Sequence, residues 1–260
     1  MTLSIGIAGI SGRMGRLVAE EVAAAGAILA GGLTLPEAMP EMPGVFLTSD
    51  PDALFPRCRV VIDFTHASAV AGHAAAAARH GVAWVLGTTG LSAADQQAVV
   101  QAARQVAVVQ AANFSPGVNL VLALAERLAA ALPAETYDAE ILEMHHRQKV
   151  DAPSGTAIAL GEAVAKGRGT TLEAAGRESG RDGHTGPRRT GTIGFAALRG
   201  GQVVGEHSVI FAAASEHIVL THRAFDRRAY ATGAVRAAFW AADQPPGLYS
   251  MADVLGMRAS

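Results

Sequence analysis

The first half of the chain alternates between short apolar runs and longer segments with helical periodicity. Short runs that are apolar at every position are typical of strands buried on both faces of a parallel sheet. Such runs predict strands at Leu3–Ala8, Ile28–Leu33, Val60–Phe64, Ala83–Leu86 and Val106–Gln110. Helices are predicted at Arg13–Ala25, at Ser68–His80 and from Ser92 onward, with Gly26 and Gly81 ending the first two. This order predicts right-handed strand–helix–strand crossovers and an open parallel sheet.

The second half of the chain has longer strand-like segments. Strands are predicted at Ala139–Met144, Gly191–Arg199, Gln202–Ala213 and Glu216–Arg223, and helices at Gly155–Lys166 and Arg227–Ala242. Gly200-Gly201 separates two of these strands and indicates a hairpin between them. The Gly- and Arg-rich stretch from Ala174 to Thr190 has no periodicity, so we expect a loop there. The pattern therefore predicts an α+β half with long antiparallel strands after the α/β half.

Composition narrows the class of protein. Of the 260 residues, 50% are hydrophobic and 17% are charged, which is ample for a buried core and excludes a disordered chain. The formal net charge of -2 offers no basic surplus for nucleic acid, and the single cysteine, Cys58, excludes a disulfide framework and a cysteine-rich zinc site. The N-terminus has no cationic leader pattern, and the longest apolar stretch, Val118 to Leu132, is interrupted by Glu126 and Arg127. We therefore expect a soluble cytoplasmic protein without a membrane span.

A cluster of glycines surrounds the turn between the first predicted strand and the first predicted helix: Gly6, Gly9, Gly12 and Gly15. Glycines let a ligand approach the backbone, and a helix N-terminus offers N–H groups, so the turn suits a nucleotide pyrophosphate. Arg13 and Arg16 add positive charge for phosphate. The spacing Gly9-x-x-Gly12-x-x-Gly15 differs from the usual G-x-G-x-x-G, and a tight turn with close helix–sheet packing is the alternative.

Two further polar or glycine-rich turns follow predicted strands, namely Gly87-Thr88-Thr89-Gly90 and Ala112-Asn113-Phe114-Ser115. The carboxyl ends of strands line the ligand crevice of an open α/β sheet, so these turns are expected near the same nucleotide. For each turn taken alone, ordinary strand-to-helix loop chemistry is the alternative.

The densest polar stretch runs from Glu143 to Thr156, between a predicted strand and a predicted helix. A histidine such as His145 can protonate a substrate near neutral pH, and Lys149 supplies a fixed cation beside it. Ser154 has the chemistry of an N-cap, which would turn the next amides toward a carboxylate. The stretch favours an anionic substrate that accepts a hydride and a proton. A solvated loop is one alternative, and a metal site is a weaker one because adjacent histidines point apart in an extended chain.

The same stretch reads Glu143-x-His145-His146-x-x-Lys149-x-Asp151-x-Pro153-Ser154-Gly155-Thr156-Ala157, which resembles the characteristic motif of the 4-hydroxy-tetrahydrodipicolinate reductases, also called dihydrodipicolinate reductases. Further matches follow in order along nearly the whole chain: Gly9-Ile10-Ser11-Gly12-Arg13-Met14-Gly15-Arg16, Val61-Ile62-Asp63-Phe64-Thr65, Gly87–Gly90, Ala112-Asn113-Phe114-Ser115-x-Gly117-Val118-Asn119, Arg181-x-Gly183-His184-Thr185-Gly186, Gly191-Thr192-Ile193-Gly194-Phe195 and Val204-Gly205-Glu206-His207. Members of this family use NAD(P)H in bacterial and plant lysine and diaminopimelate synthesis.

The resemblance implies a Rossmann-type parallel-sheet nucleotide domain at residues 1–115 and 227–260. It implies a mixed α+β domain for substrate binding and tetramerisation at residues 116–226. The expected reaction reduces 4-hydroxy-tetrahydrodipicolinate, a small dicarboxylate, through its dehydrated form to tetrahydrodipicolinate with NADH or NADPH. A homotetramer is expected, and neither a metal, a nucleic acid nor a membrane is an expected partner.

The resemblance also implies roles for individual residues. His145 matches the general acid, and Lys149 matches its partner in holding and polarising the substrate. Contacts to the substrate carboxylates are matched by His146, Gly155 and Thr156. Contacts to the cofactor are expected at the following residues: Gly9, Ile10, Ser11, Gly12, Arg13, Met14, Thr34, Gly87, Thr88, Thr89, Ala111, Ala112, Asn113 and Phe114.

The cofactor site departs from the family at the end of the second strand. Many members carry an acidic residue there, often followed by arginine, where this chain has Thr34 and Leu35. A threonine can bond a ribose hydroxyl or a phosphate and repels neither, so dual use of NADH and NADPH is predicted. Arg13 could reach a 2′-phosphate, whereas Glu37 could restore a preference for NADH, although Pro36 restricts where it points.

Two other functions stay open at this point. One is a nucleotide-binding regulatory or structural protein that kept the fold without activity. The intact His145 and Lys149 argue against it, since a binder needs no proton donor. The other is an imine or aldehyde reductase on the same fold, and a site for two carboxylates argues against simple aldehydes.

Overall fold

The computed structural model describes residues 2–257. The chain divides into two compact units. The first unit takes in the chain up to Pro116 and again from Arg227 onward, and the second unit is Gly117–Asp226. The first unit is therefore made of two separate stretches of sequence.

The first unit contains a seven-stranded parallel sheet. Its strands are β1 (Ser4–Ala8), β2 (Ile28–Leu33), β3 (Leu47–Thr48), β4 (Val60–Asp63), β5 (Ala83–Leu86), β6 (Ala107–Gln110) and β12 (Gly247–Tyr249). They lie side by side in the order β3-β2-β1-β4-β5-β6-β12, with parallel neighbours throughout. This order is that of a Rossmann-type sheet, whose ligand crevice lies where the order reverses beside β1 and β4. The predicted α/β fold is confirmed, whereas the edge strands β3 and β12 are too short to show a pattern and were not predicted.

Helices pack against this sheet. They are α1 (Arg13–Ala24), α2 (Pro51–Leu54), α3 (Ala67–His80), α4 (Ala93–Ala102), α8 (Arg228–Ala241) and α9 (Met251–Val254), with 3-10 turns at Pro36–Ala38 and Phe55–Arg57. The predicted helix ends are confirmed at two places. Gly81 ends α3 in the left-handed conformation at a φ of 66°, and Ser92 begins α4 with reciprocal hydrogen bonds to Asp95.

The central strands of the first unit are mostly apolar because both faces of the sheet are buried there. Ile62 of β4 shares a core with Val18 of α1 and Val235 of α8. Its neighbour Val61 faces the other way and shares a second core with Ala74 of α3. Side chains of successive strand residues point to opposite faces, so apolar residues are favoured at successive positions of such a strand.

The second unit contains a five-stranded mixed sheet. Its strands are β7 (Asp138–His145), β8 (Arg177–Ser179), β9 (Ile193–Arg199), β10 (Gly205–Ala212) and β11 (His217–Ala224), in the order β11-β10-β7-β9-β8. Three helices accompany it: α5 (Pro116–Ala131), α6 (Gly155–Gly167) and α7 (Leu172–Ala175). Apolar side chains of α5 and α6 form one core with Ile141 and Val209 of the sheet. Within residues 2–257, no helix is both long and apolar enough to cross a membrane.

The predicted hairpin at Gly200-Gly201 is wrong. Strand β7 lies between β9 and β10, and β9 runs parallel to β7. The amide of Gly200 donates to the carbonyl of His145 at 2.9 Å, so the turn passes over the end of β7 instead of joining paired strands. A glycine pair indicates where the chain turns, but the choice of strand partners depends on residues far along the sequence.

The predicted loop from Ala174 to Thr190 is also wrong in part. Arg177–Ser179 forms β8, which pairs in parallel with β9 at the edge of the sheet, and α7 reaches Ala175. An edge strand needs backbone hydrogen bonds but not an apolar pattern, so its polar sequence concealed it.

Candidate active site

The turn between β1 and α1 is shaped by its glycines. Gly9 has a φ of 83°, which favours glycine, and its amide donates to the carbonyl of Leu33 at 2.8 Å. A β-carbon at Gly15 would collide with the carbonyl of Gly9, so α1 approaches the turn this closely only because a glycine stands there. Gly12 is the N-cap of α1 and has no side chain to cover the helix start. This cradle has the close backbone and the helix N-terminus that a pyrophosphate requires.

The other predicted residues of this turn differ in exposure. Arg13 and Arg16 are exposed, and Nε of Arg16 donates to the carbonyl of Ser11 at 3.2 Å. Ile10 is fully buried against the backbone of Gly32, so its side chain belongs to the core. Ligand contacts at Ile10 are therefore restricted to its backbone.

Thr34 follows β2 and is tied to the glycine turn. It is 7% exposed, and its Oγ1 lies 2.7 Å from Oγ of Ser11 while donating to the carbonyl of Ala38 at 3.4 Å. The next residue, Leu35, is exposed, as is Glu37 in the 3-10 turn. Thr34 therefore presents a neutral hydroxyl that already has protein partners.

The turn after β5 packs on the turn after β4. A β-carbon at Gly87 would collide with the ring of Phe64. Oγ1 of Thr88 donates to the carbonyl of Thr65 at 3.2 Å, whereas Thr89 is exposed. The predicted residues at the end of β5 are thus held against the crevice beside β4.

Asp63, the last residue of β4, stabilises the turn after β4 by hydrogen bonds. It is fully buried, and Oδ1 accepts hydrogen bonds from the amide and hydroxyl of Thr65 at 3.0 and 2.6 Å. Oδ2 lies 2.7 Å from Nδ1 of His73 and accepts from Nε1 of Trp84 at 3.2 Å. Sequence analysis gave Asp63 no role, and its only signal was its place in a matched segment.

A small cavity of about 190 Å³ brings together two of the predicted groups of cofactor residues. Its lining is Met14, Phe64, Ala112, Asn113, Phe114 and Tyr230. Met14 comes from the glycine turn, and Ala112 to Phe114 come from the turn after β6. The side-chain oxygen of Asn113 accepts from the amide of Ser115 at 2.8 Å, which fixes the shape of that turn. Ala111, also predicted, is the half-buried residue that directly follows β6.

In the second unit, the end of β7 presents a buried acid–imidazole pair. Glu143 and His145 point to the same face because they are two positions apart along the strand. Nδ1 of His145 lies 2.6 Å from Oε2 of Glu143, and the two residues are 8% and 1% exposed. An ionised carboxylate can only accept, so Nδ1 carries the hydrogen and Nε2 is the nitrogen available to a substrate.

Arg199, the last residue of β9, forms a bidentate pair with the carboxylate of Glu143. Its Nη1 and Nη2 donate to Oε2 and Oε1 of Glu143, both at 2.8 Å. Nη2 also donates to the carbonyl of Asp151 at 2.7 Å. Sequence analysis assigned no role to Arg199, because it lies far along the chain from the motif it supports.

Lys149 lies in the loop after β7 and pairs with an acid of the same loop. Its Nζ donates to both carboxylate oxygens of Asp151, at 2.8 and 2.9 Å. This pairing lowers the pKa of Asp151, whose carboxylate thereby stays ionised.

The N-terminus of α6 is capped as predicted. Ser154 accepts from the amide of Ala157 at 3.2 Å through Oγ, and its own amide donates to Oε1 of Glu143 at 3.1 Å. Gly155 and Thr156 form the first turn of α6 directly after this cap. The acid that holds His145 therefore also holds the start of the helix.

His207 on β10 completes this cluster and was missed by sequence analysis as a site residue. Its Nε2 lies 3.0 Å from Oγ of Ser154, and its ring packs edge-on against that of His145 with centroids 5.0 Å apart. Strand pairing places it there, since His207 lies opposite Glu143. His146 is half-buried, and its Nδ1 finds no hydrogen-bond partner among the described residues. In residues 2–257, no group of three or more His, Cys, Asp or Glu side chains is placed to hold a metal ion.

Burial and charge set the protonation of this cluster. Burial lowers the pKa of His145, and Glu143 opposes that effect without cancelling it. Burial alone would raise the pKa of Glu143, but hydrogen bonds from Arg199 and His145 outweigh it and hold this pKa below its usual value. Burial, with the nearby His145, lowers the pKa of His207 to about 4, so His207 is neutral near pH 7. The cluster thus contains one imidazole next to a carboxylate and one neutral imidazole beside it.

Two family models match the chain in tandem. The model described as "Dihydrodipicolinate reductase, N-terminus" covers residues 3–114, and "Dihydrodipicolinate reductase, C-terminus" covers residues 117–255. The chain belongs to the dihydrodipicolinate reductase family. The resemblance found in the sequence is confirmed, and the family makes this chain an oxidoreductase.

Curated relatives agree with the family models. The chain is 66% identical over 253 residues to the 4-hydroxy-tetrahydrodipicolinate reductase of Gluconacetobacter diazotrophicus, which covers 97% of each chain. It is 61% identical over 257 residues to the reductase of the same name from Granulibacter bethesdensis, covering 99% of this chain and 98% of that one. Because these matches span both units, the similarity to these reductases includes the first unit and the second unit alike.

Solved structures share the fold. Dipicolinate-bound dihydrodipicolinate reductase from Paenisporosarcina sp. TG-14 has a TM-score of 0.79 at 24% identity, over 96% of this chain and 98% of that one. GenD2 from gentamicin A biosynthesis, solved in complex with NAD, has a TM-score of 0.63 at 14% identity, over 98% and 91% of the two chains. The first unit accordingly has a Rossmann-type fold.

Proposed function

We propose that this chain reduces 4-hydroxy-tetrahydrodipicolinate, through its dehydrated form, to tetrahydrodipicolinate with NADH or NADPH in the diaminopimelate route to lysine. The observation that carries the proposal is the arrangement at the end of β7. A buried imidazole, an ammonium and a capped helix N-terminus are joined there by hydrogen bonds, in a chain of this reductase family.

The substrate carboxylates are assigned to the loop after β7 and the start of α6. Lys149 is the cation for one carboxylate, which would replace Asp151 as its partner. Gly155 and Thr156 hold a carboxylate at the helix N-terminus, where the helix dipole favours negative charge. His146, the first residue after β7, is the third residue assigned to the carboxylates. These groups hold the charge of the substrate and offset the charge that develops toward its ring nitrogen.

His145 is the general acid. Loss of the 4-hydroxyl as water gives a conjugated cyclic imine, and addition of a hydride to ring C4 gives an enamine that must take up one proton. When bound, reduced nicotinamide supplies that hydride. In its protonated form, with Nδ1 donating to Glu143, His145 is oriented to deliver the proton from Nε2, a contribution typically worth about 10²–10⁴-fold in rate.

The first unit is the proposed cofactor site. Gly9, Gly12 and Arg13 would receive the pyrophosphate, because the turn has the backbone space and positive charge that this group needs. Dual use of NADH and NADPH is supported by the neutral hydroxyl of Thr34, which repels neither a ribose hydroxyl nor a phosphate. We expect kcat/KM for the two cofactors to agree within about 30-fold, or roughly 2 kcal/mol.

A homotetramer built by the second sheet is part of the proposal. Leu142, Leu198 and Val219 lie on the face opposite to His145 and are 36%, 48% and 52% exposed. Exposed apolar side chains on one sheet face are typical of an interface, and a second copy of this chain is the proposed occupant. Light scattering of the purified protein, compared with a Leu198→Lys variant, tests this part: a smaller assembly in the variant supports it, and a monomeric wild type contradicts it.

The decisive experiment follows oxidation of NADH and NADPH with substrate generated in place by dihydrodipicolinate synthase. Substrate-dependent oxidation with at least one cofactor supports the proposal. Pyridine-2,6-dicarboxylate, a planar double anion, should inhibit competitively against the substrate. Oxidation that does not depend on this substrate would favour a regulatory binder or a reductase of other imines.

A further inference from the structure

We propose that Arg199 is a positioning residue that fixes the imidazole of His145 through Glu143 and couples it to the loop that carries Lys149. This inference rests on the proposed function, in which His145 and Lys149 act on the substrate. None of the roles assigned above includes Arg199, which lies on another strand and outside the motif from Glu143 to Thr156.

The hydrogen bonds of Arg199 show that its terminal nitrogens are already committed. Each of these nitrogens carries two hydrogens. Nη1 donates to Glu143 at 2.8 Å and to the carbonyl of Leu198 at 2.6 Å. Nη2 donates to Glu143 at 2.8 Å and to the carbonyl of Asp151 at 2.7 Å. Arg199 therefore acts through protein groups, and a substrate carboxylate would have to break one of these bonds to reach its terminal nitrogens.

The bidentate grip fixes the plane of the Glu143 carboxylate. One oxygen receives Arg199 and Nδ1 of His145, and the other receives Arg199 and the amide of Ser154. A carboxylate with both oxygens held cannot rotate, so the ring of His145 is held in the orientation that presents Nε2. Replacing the planar fork by a single ammonium would remove the second parallel bond and so weaken the hold on the plane of the carboxylate, leaving His145 and the amide of Ser154 as its other partners.

The guanidinium of Arg199 also contacts the loop that contains Lys149. Its bond to the carbonyl of Asp151 holds the backbone of the residue whose carboxylate binds Nζ of Lys149. One side chain thus sets the separation of the proton donor from the substrate-binding cation. Through this link, a half-buried residue outside the motif bears on both His145 and Lys149.

The charged and titratable groups that face His145 come from every neighbouring element. They are Glu143 on β7, Arg199 at the end of β9, His207 on β10 and Lys149 in the loop after β7. Removing the negative charge of Glu143 would lower the pKa of His145, whereas removing the positive charge of Arg199 would raise it. If Glu143 and Arg199 acted on His145 only through packing, replacing them would not shift the pKa of His145 in these two opposite directions.

The test is an NMR titration of His145, together with steady-state kinetics, in variants of the full chain. The His145 signal is assigned by its loss in His145→Gln. Glu143→Gln should lower the titration midpoint by about one pH unit or more, and Arg199→Met should raise it. Arg199→Lys should keep the midpoint within about half a pH unit while lowering kcat about tenfold, because the charge stays and the fork is lost. Lys166→Met, which removes the cation of an exposed ion pair between α6 and Glu126 of α5, is the control and should change neither quantity.

Arg199→Met leaves a buried carboxylate without its partner, and such variants can fail to fold. The double variant Glu143→Gln/Arg199→Met removes both charges and should fold, with a midpoint between those of the two single changes and a reduced kcat. A wild-type midpoint in Glu143→Gln, or wild-type kcat in Arg199→Lys, overturns the inference. The titration needs no turnover, so it tests the role of Arg199 even if the wild type fails to reduce the proposed substrate. Failure of this inference can therefore be distinguished from failure of the proposed function.

Discussion

Gly205 stands beside His145 on the neighbouring strand, and a β-carbon at position 205 would lie 3.1 Å from Nε2 of His145. The same β-carbon would lie 3.6 Å from the ring of His207. The glycine therefore leaves open the space next to the nitrogen that faces the substrate. A side chain at position 205 would be in close contact with Nε2 of His145 and would displace its ring.

Gly205→Ala should accordingly lower kcat by about tenfold while the fold is retained, because a small displacement of a general acid costs most of its contribution. Gly72→Ala is the matched control, since a β-carbon at Gly72 in α3 would meet nothing within 4 Å. The control should keep wild-type kinetics and gain up to about 1 kcal/mol of stability from the better helix former. Wild-type kcat in Gly205→Ala would show that the space is not needed.

His145→Gln should lower kcat by about 10²-fold or more without loss of fold, since the proton donor is removed. Lys149→Ala should lower kcat and raise KM together, because the ammonium serves both binding and charge stabilisation. Asp151→Asn offers a comparison that keeps the ammonium. Steady-state kinetics at several substrate concentrations separate the two effects, and wild-type turnover in both His145→Gln and Lys149→Ala would exclude this assignment.

Local signals in the sequence were sufficient to predict most helices and strands. They were also sufficient to single out the contiguous stretch from Glu143 to Thr156 as part of the candidate site. Gly81 and Ser92 mark helix ends through their own backbone and side-chain chemistry, so their positions could be read directly. The neighbours of His145 could not, because Arg199 and His207 reach it only through the pairing of β7 with β9 and β10. That pairing also explains the wrong hairpin, since the strand inserted between β9 and β10 comes from far earlier in the chain.

The cofactor preference can be tested at the end of β2. Thr34→Asp would place a carboxylate where the 2′-phosphate of NADPH is expected, and we predict that kcat/KM with NADPH falls at least tenfold more than with NADH. Glu162→Gln is the control, because it removes an exposed carboxylate of α6 in the second unit and should change the ratio little. Equal losses with both cofactors in Thr34→Asp would place the 2′-phosphate elsewhere.

Acid should destabilise the second unit through His207. Its pKa is lowered from 6.5 to about 4 by burial, so the unfolded chain binds more protons at this ring than the folded chain between those values. Stability is therefore lost as pH falls through this window, by about 3 kcal/mol once both values are passed.

The measurement is the thermal unfolding midpoint at pH 7 and near pH 4.5. His207→Gln should show a smaller drop between the two conditions than the wild type. His217→Gln, at the exposed start of β11, should show the full drop. An undiminished drop in His207→Gln would assign the acid sensitivity to other groups.

The discontinuous first unit has a consequence for synthesis on the ribosome. Ala231, Ala234 and Val235 of α8 belong to the same core as Ile5 and Ile62 of the central strands. These helix residues are translated only after the whole second unit, so the nascent first unit exposes an apolar sheet face while that insertion emerges and folds. A late-made helix covers strands that were made early, and a chain that terminates before α8 would present that face to chaperones or to other nascent chains.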